Sequence, residues 1–402
     1  MTPSANTLWS TTLIGACLSL TLCLPSCGGE ATPPAETDGD TATTVDMSTT
    51  VDAPDAAGPV HTAADFRKAG PYAVGVRTYT LTDAARSRSF AVEAVYPIDP
   101  ANAGSGALSL ASFCTSTADQ KTYQQLLDAA PKACPTHTTD VVRDAAPAAG
   151  TFPVIVFSHC HNCTRFSSLA LLRRLASHGF VVLAPDHAGN TLFDELAGQG
   201  VALGKAFLTV RVGDLKAALD QPPIALAGHL DLSRVGALGH SFGSVTAGLF
   251  TQEDKRVSAV VGVAAPMQNP LLPGVDMKKL TLPLMLLLAR EDNSITVVGN
   301  QFIQNNFAAA LGPAWKLEVD DAGHWSFSDI AGLHSFFDPG CGKAERMTDG
   351  TPFTYLPVAD AQHIAASWIS AFFAAHLNKD AGAIDFLAAP PADSRAHIAR
   401  KP

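Results

Sequence analysis

No cluster of lysine or arginine occurs in the 402-residue sequence: 27 basic residues are scattered among 37 acidic ones, for a formal charge of −10. A chain without a basic patch has no electrostatic footprint for nucleic acid, which excludes that class of partner. Charge is scarce altogether, at 16% of residues against 47% apolar. Such a composition buries a core and excludes a disordered protein. None of the glycine patterns that cradle nucleotides is present, so no cofactor is expected. A comfortable membrane span is missing too. The apolar run at residues 8–24 is slightly short, diluted by serine and threonine, and has no basic flank after it.

That run ends in Leu24-Pro25-Ser26-Cys27-Gly28-Gly29. An aliphatic residue, small residues and then cysteine resembles a bacterial lipobox, whose cysteine is lipid-modified and N-terminal after cleavage. Residues 1–26 then read as a signal peptide and Cys27 as the lipidation site. The segment before it carries no basic residue and Pro25 is an unusual occupant. Cys17, in Ile14-Gly15-Ala16-Cys17, fits the local pattern but comes too early. An ordinary cleaved signal peptide is the alternative. Residues 28–60 hold seven acids (Glu30, Glu36, Asp38, Asp40, Asp46, Asp52, Asp55) and no lysine or arginine. With no apolar periodicity, residues 28–65 read as a disordered acidic tether behind the anchor. The protein is therefore expected to be exported and held to a bacterial membrane, the outer one, by acyl chains. Without the modification it is periplasmic or extracellular.

From residue 66 to 402 the pattern is that of one folded domain. Residues 72–81 and 90–96 alternate apolar and polar positions and read as an antiparallel strand pair. Residues 99–150 form an insertion rich in alanine, glycine and serine, with one helix near 119–130. Continuous apolar runs then alternate with amphipathic helices: strands at 154–157, 180–184, 235–238, 257–263, 284–288 and 316–319, and helices near 167–178, 204–221 and from 242. Such runs indicate a mostly parallel sheet covered on both faces. A last helix, near 360–377, carries a core stripe of Ile364, Trp368, Phe372 and Ala375.

Gly239-His240-Ser241-Phe242-Gly243 falls between a predicted strand and a predicted helix. In that context G-x-S-x-G is a nucleophile elbow, and Ser241 is the candidate nucleophile. Serine needs a base to take its proton. The triad order for such a turn is serine, acid, histidine. Five histidines follow Ser241. His363 and His376 fall on the last helix and His397 in a frayed tail. His324 directly follows a strand, in Asp321-Ala322-Gly323-His324-Trp325, and is the candidate base, with His334 as the fallback. A loop at the carboxyl end of a strand is where a parallel sheet places reacting groups. Asp292, in Ala289-Arg290-Glu291-Asp292-Asn293, is the candidate acid. Glu291 is the adjacent substitute, expected to face outward beside Arg290. Asp320 and Asp321 lie too near His324 in sequence, and Asp186 precedes the nucleophile.

A wider set of residues carries a family resemblance. Gly70-Pro71-Tyr72 with Val74-Gly75, Val95-Tyr96-Pro97, Phe157-Ser158-His159, Ala184-Pro185-Asp186-His187, the elbow, and Ala322-Gly323-His324 with Ser326-Phe327 recur in combination over residues 70–378. Together they resemble the platelet-activating-factor acetylhydrolase and dienelactone-hydrolase-like esterases, and more distantly the cutinase-type polyester hydrolases. The resemblance implies an α/β-hydrolase fold and serine-dependent hydrolysis of carboxylic esters: short-chain acyl esters, phospholipids or polyesters. It implies backbone N–H donors to the oxyanion from Phe242 and from His161, two residues after His159. Cys160 stands where those families have glycine, and is the alternative donor. His161 and Trp325 are candidate substrate-lining residues.

His159-Cys160-His161-Asn162-Cys163 also contains metal-ligand types, but zinc sites draw on a second pair elsewhere and no partner C-x-x-C exists. No metal is expected. Exported cysteines are more often disulfide-bonded. Cys114 and Cys134 are expected to pair within the insertion, leaving Cys160, Cys163 and Cys341 with one thiol over. The leading reading is a monomeric, lipid-anchored serine esterase. The alternatives are a thioesterase or serine peptidase of the same fold, or a surface-binding lipoprotein without activity.

Overall fold

The computed structural model describes residues 61–402 apart from 105, 133, 135–137 and 339, all within one compact unit. The expected signal, Cys27 and most of the tether lie outside the described residues. Ten strands form one sheet: β1 Ala73–Asp83, β2 Arg88–Ile98, β3 Val142–Arg143, β4 Phe152–Ser158, β5 Val181–Pro185, β6 Leu230–His240, β7 Val257–Val263, β8 Leu284–Ala289, β9 Ala314–Val319 and β10 Ala396–Lys401. Their order is β10-β9-β8-β7-β6-β4-β5-β2-β1-β3. β4 through β9 run parallel; β2 is antiparallel to β1 and β5, and β10 is antiparallel to β9.

The helices are α1 Thr117–Ala129, α2 Leu169–Ser177, α3 Leu192–Leu196, α4 Lys205–Asp220, α5 Phe242–Glu253, α6 Thr296–Ala309, α7 Val358–Phe373 and α8 Ala381–Ala388. Every residue of β4 is buried, as a central strand covered on both faces requires. Its Ile155 and Phe157 join the core under α2 and α7, while Val154 and Val156 join the core under α4 and α5. Both the mostly parallel sheet and its antiparallel N-terminal pair follow the sequence expectation.

The strand order places the site. β4 leads to β5 on one side, whereas β6 leads to β7 on the other. Connections diverge at this point, leaving a crevice beyond the carboxyl ends of β4 and β6. The loop after β4 is His159–Cys163, and the residue after β6 is Ser241.

Two expectations need correction. Residues 61–65 pack on the domain instead of ending a free tether: His61 is buried, and its Nδ1 lies 2.9 Å from the Asp380 carboxylate. The residues 396–401, read as a frayed tail, form edge strand β10, where His397 Nε2 bonds Asp320 at 2.7 Å. The insertion contributes β3 to the sheet edge as well as α1. Among the described residues no helix is long and apolar enough to cross a membrane.

Candidate active site

Ser241 sits between β6 and α5 with φ 56° and ψ −122°, a conformation that non-glycine residues rarely adopt. The turn is held by the Ser241 N–H donating to Val263 O at 2.8 Å. It is possible only with glycine on either side. A Cβ on Gly239 would stand 1.9 Å from Gly243 O, and one on Gly243 would stand 1.9 Å from Ser158 O. These are backbone contacts that cannot give way, so α5 lies against β4 and β6 with the hydroxyl projecting from its start.

His324 follows β9 and Asp292 follows β8, so both reach the same crevice. Ser241 Oγ lies 2.7 Å from His324 Nε2, and His324 Nδ1 lies 2.7 Å from Asp292 Oδ2. Asp292 is fully buried and His324 is 2% exposed. The second oxygen of Asp292 accepts the Ser294 and Ile295 N–H groups at 3.0 Å each. A carboxylate so held accepts from Nδ1–H, leaving the Nε2 lone pair facing the serine. The His324 carbonyl accepts from His240 Nε2–H at 3.0 Å. Burial, with the nearby His324, pushes His240 down to about 3, so it stays neutral at neutral pH.

The other acids considered are engaged elsewhere. Asp186 pairs with Arg165 at 2.7 Å. Asp320 pairs with Arg290 at 2.9 Å, and Asp321 with Arg346 at 2.8 Å. Glu291 is not outward beside Arg290. It is buried, accepting Arg346 Nη1 at 2.7 Å and the Met347 N–H at 3.1 Å. His334 instead accepts from the Phe336 N–H at 3.3 Å. Trp325, a candidate lining residue, is 5% exposed and packs edge-on against His324, His240 and Phe337. It braces His324 and has little exposed surface.

The loop after β4 is held from within. His159 is fully buried, and burial together with His187 and Arg211 pushes its pKa well below 6.5. The neutral ring accepts the His187 N–H at its Nε2 (3.0 Å) and donates from Nδ1 to Cys160 O (2.7 Å). A trans peptide directs its C=O and N–H oppositely. Fixing the Cys160 carbonyl therefore aims the His161 N–H away from the His159 ring. Among the described residues, neither the His161 nor the Phe242 N–H donates to a protein acceptor. The His161 ring stands edge-on to Phe242 at 6.4 Å between centroids, so the two predicted donor residues are neighbours.

The disulfides differ from the expectation. Cys134 bonds Cys341, across 207 residues, and Cys160 bonds Cys163 within the loop; Cys114 is the free thiol among the described residues. Cys114 ends a short turn against Arg165, and burial pushes its thiol up to about 12. The chain instead brings Cys134 to Cys341 beside Gly332, which has φ +68° and where a Cβ would stand 2.3 Å from Cys134 Sγ. The pair joins the insertion to the segment that carries Arg346 and Tyr355. Tyr355 Oη accepts from Asn293 Nδ2 at 2.9 Å, next to Asp292. Two sulfurs of the 159–163 loop are thus consumed in a disulfide. Arg211, Asn190 and Arg346 escaped the sequence reading. Arg211 had a signal: it interrupts the apolar stripe Leu208, Val212 and Leu215 of α4.

Comparison with known proteins points the same way. A family model described as chlorophyllase matches residues 119–286, which is under half of the chain. The ferulic acid esterase from Streptomyces cinnamoneus is similar in structure, with a TM-score of 0.62 and 21% identity, covering 82% of this chain and 97% of that one. No curated protein matches the sequence. The fold is that of an α/β hydrolase.

Proposed function

We propose that this protein is a serine carboxylic ester hydrolase that works through an acyl-enzyme on short-chain acyl esters, phospholipids or polyesters. The observation that carries the reading is the hydrogen-bonded series Ser241, His324 and Asp292, closed at 2.7 Å at both links. In this mechanism Ser241 Oγ attacks the ester carbonyl carbon and its proton passes to His324 Nε2. Asp292 holds the ring and stabilises its imidazolium form. The carbonyl oxygen becomes an oxyanion between the Phe242 and His161 N–H groups. Collapse breaks the ester C–O bond, and the leaving alcohol takes the proton from His324. Water then attacks the acyl-Ser241, gives a proton to His324, and the acid departs as the hydroxyl of Ser241 is restored.

The same reading has the chain exported and anchored through acyl groups on Cys27. The supports are the small residues before that cysteine, an apolar segment too short to span, and an acidic stretch after it.

A panel of nitrophenyl esters of increasing acyl length, assayed beside a feruloyl ester, phospholipid vesicles and a polyester film, tests the substrate class. The expected result is hydrolysis of at least one of these ester classes, abolished in Ser241→Ala. Absence of hydrolysis of every ester, in folded protein, overturns the reading.

A further inference from the structure

The least expected group near the site is a buried cation. Arg211, on α4, is fully buried, yet among the described residues its guanidinium donates only to neutral oxygens: Thr246 Oγ1 at 3.1 Å, Asn190 Oδ1 at 2.6 Å, Ser158 Oγ at 3.0 Å, and the His159 carbonyl. Asp214, the acid whose charge acts on it, bonds Arg86, Arg88 and His187 instead. A buried charge without a bonded counter-ion is an unfavourable way to stabilise a fold. Burial pushes Arg211 down to about 9, partly opposed by the charge of Asp214, which still leaves it charged at neutral pH.

The contacts lead to both sides of the oxyanion position. One arm holds the His159 carbonyl, at the start of the loop that presents the His161 N–H. A second holds Asn190 Oδ1. That choice fixes the amide, so Asn190 Nδ2 faces His161 Nδ1 and Asn162 Oδ1. The same guanidinium lies 4.5 Å from the ring centroid of Phe242, the residue that presents the other N–H.

We propose that Arg211 is the positioning residue of the oxyanion hole, setting the His161 donor through His159 and Asn190 and the Phe242 donor by packing under its ring. The inference rests on the esterase reading and deepens it. Arg211 touches no reacting atom. Its role is to keep two backbone N–H groups converged on one point, with a positive charge behind them. Such an arrangement acts on the tetrahedral intermediate more than on bound substrate.

The experiment compares Arg211→Met, Arg211→Lys and Asn190→Ala with wild type and Ser241→Ala, on one nitrophenyl ester. It measures kcat, KM, thermal midpoint, and inhibition by an aryl boronic acid, which forms a tetrahedral adduct. The expected loss in kcat is ~10²-fold for Arg211→Met and ~10-fold for Asn190→Ala, with KM within ~3-fold, on the scale of losing an oxyanion donor. Boronate affinity should fall in step with kcat, and Arg211→Lys should lie between Arg211→Met and wild type. Asn190→Ala decides the question if Arg211→Met fails to fold. Near-wild-type kcat and boronate affinity in folded Asn190→Ala and Arg211→Lys overturn the proposal while Ser241→Ala stays inactive. Activity that survives in Ser241→Ala overturns the esterase reading, and this inference with it.

Discussion

Replacing Asp292 by asparagine isolates one proton. The native carboxylate accepts on both sides: Ser294 and Ile295 N–H at 3.0 Å on Oδ1, and His324 Nδ1–H at 2.7 Å on Oδ2. Asparagine keeps the size and one acceptor. The two backbone donors claim that acceptor, so the amide NH₂ must face His324. The ring can then meet it only with a lone pair at Nδ1, which places its proton on Nε2. The proton would point at Ser241 Oγ, 2.7 Å away, where the base needs a lone pair. A triad locked in the wrong tautomer loses about 10⁴-fold in rate, or about 5 kcal/mol of barrier. The assay is kcat for a nitrophenyl ester at neutral pH, with the thermal midpoint measured in parallel and His324→Ala as the comparison. A folded Asp292→Asn protein within ~10-fold of wild-type kcat would refute the role given to Asp292.

Other outcomes follow from packing and charge. Cys341→Ser removes a cross-link across 207 residues and should lower unfolding free energy in urea by about 2–5 kcal/mol, the range for long loops; an unchanged midpoint contradicts the bond. His178, His240 and His376 are pushed down, chiefly by burial, to about 4, about 3 and about 4. Each is neutral when folded and gains a proton on unfolding below about 6.5. Their contribution is therefore present above that pH and is lost progressively as the pH falls from about 6.5 to each folded value. His178 alone is worth on the order of 3 kcal/mol. The thermal midpoint should fall steeply from pH 6.5 to 4, and a flat profile there refutes the assignment. Cys27→Ala should move the protein from the membrane fraction to the soluble one. Membrane retention after a high-salt wash counts against lipid anchoring, because the seven acids at positions 30–55 are repelled by anionic lipid.

Much of the fold was legible because a parallel sheet buried on both faces writes itself as continuous apolar runs. β7 and β8 needed little more than that. β10 was not legible: Ala-His-Ile-Ala-Arg-Lys at 396–401 is polar and lies at an edge, with only one neighbour to specify it. α6 and α8 also went unread, since Gly299 and a run of Asn and Gln break the stripe of the first, and the second has only two turns. That Ser241, Asp292 and His324 meet was legible because each follows a strand in a short local motif. The disulfide partners were not, since pairing depends on how the insertion folds over the segment carrying Cys341. Arg211 was visible only as a charge out of place on an apolar stripe; its partners, at positions 158, 159, 190 and 246, belong to four separate segments.

The central claim is that Ser241 is the nucleophile. Its most direct test is reaction of the purified protein with a fluorophosphonate probe, followed by peptide mass spectrometry. The account predicts one equivalent of adduct on Ser241, loss of esterase activity in proportion to labelling, and no labelling of Ser241→Ala. Stoichiometric labelling that persists in Ser241→Ala, or an adduct on another residue that abolishes activity, would contradict it.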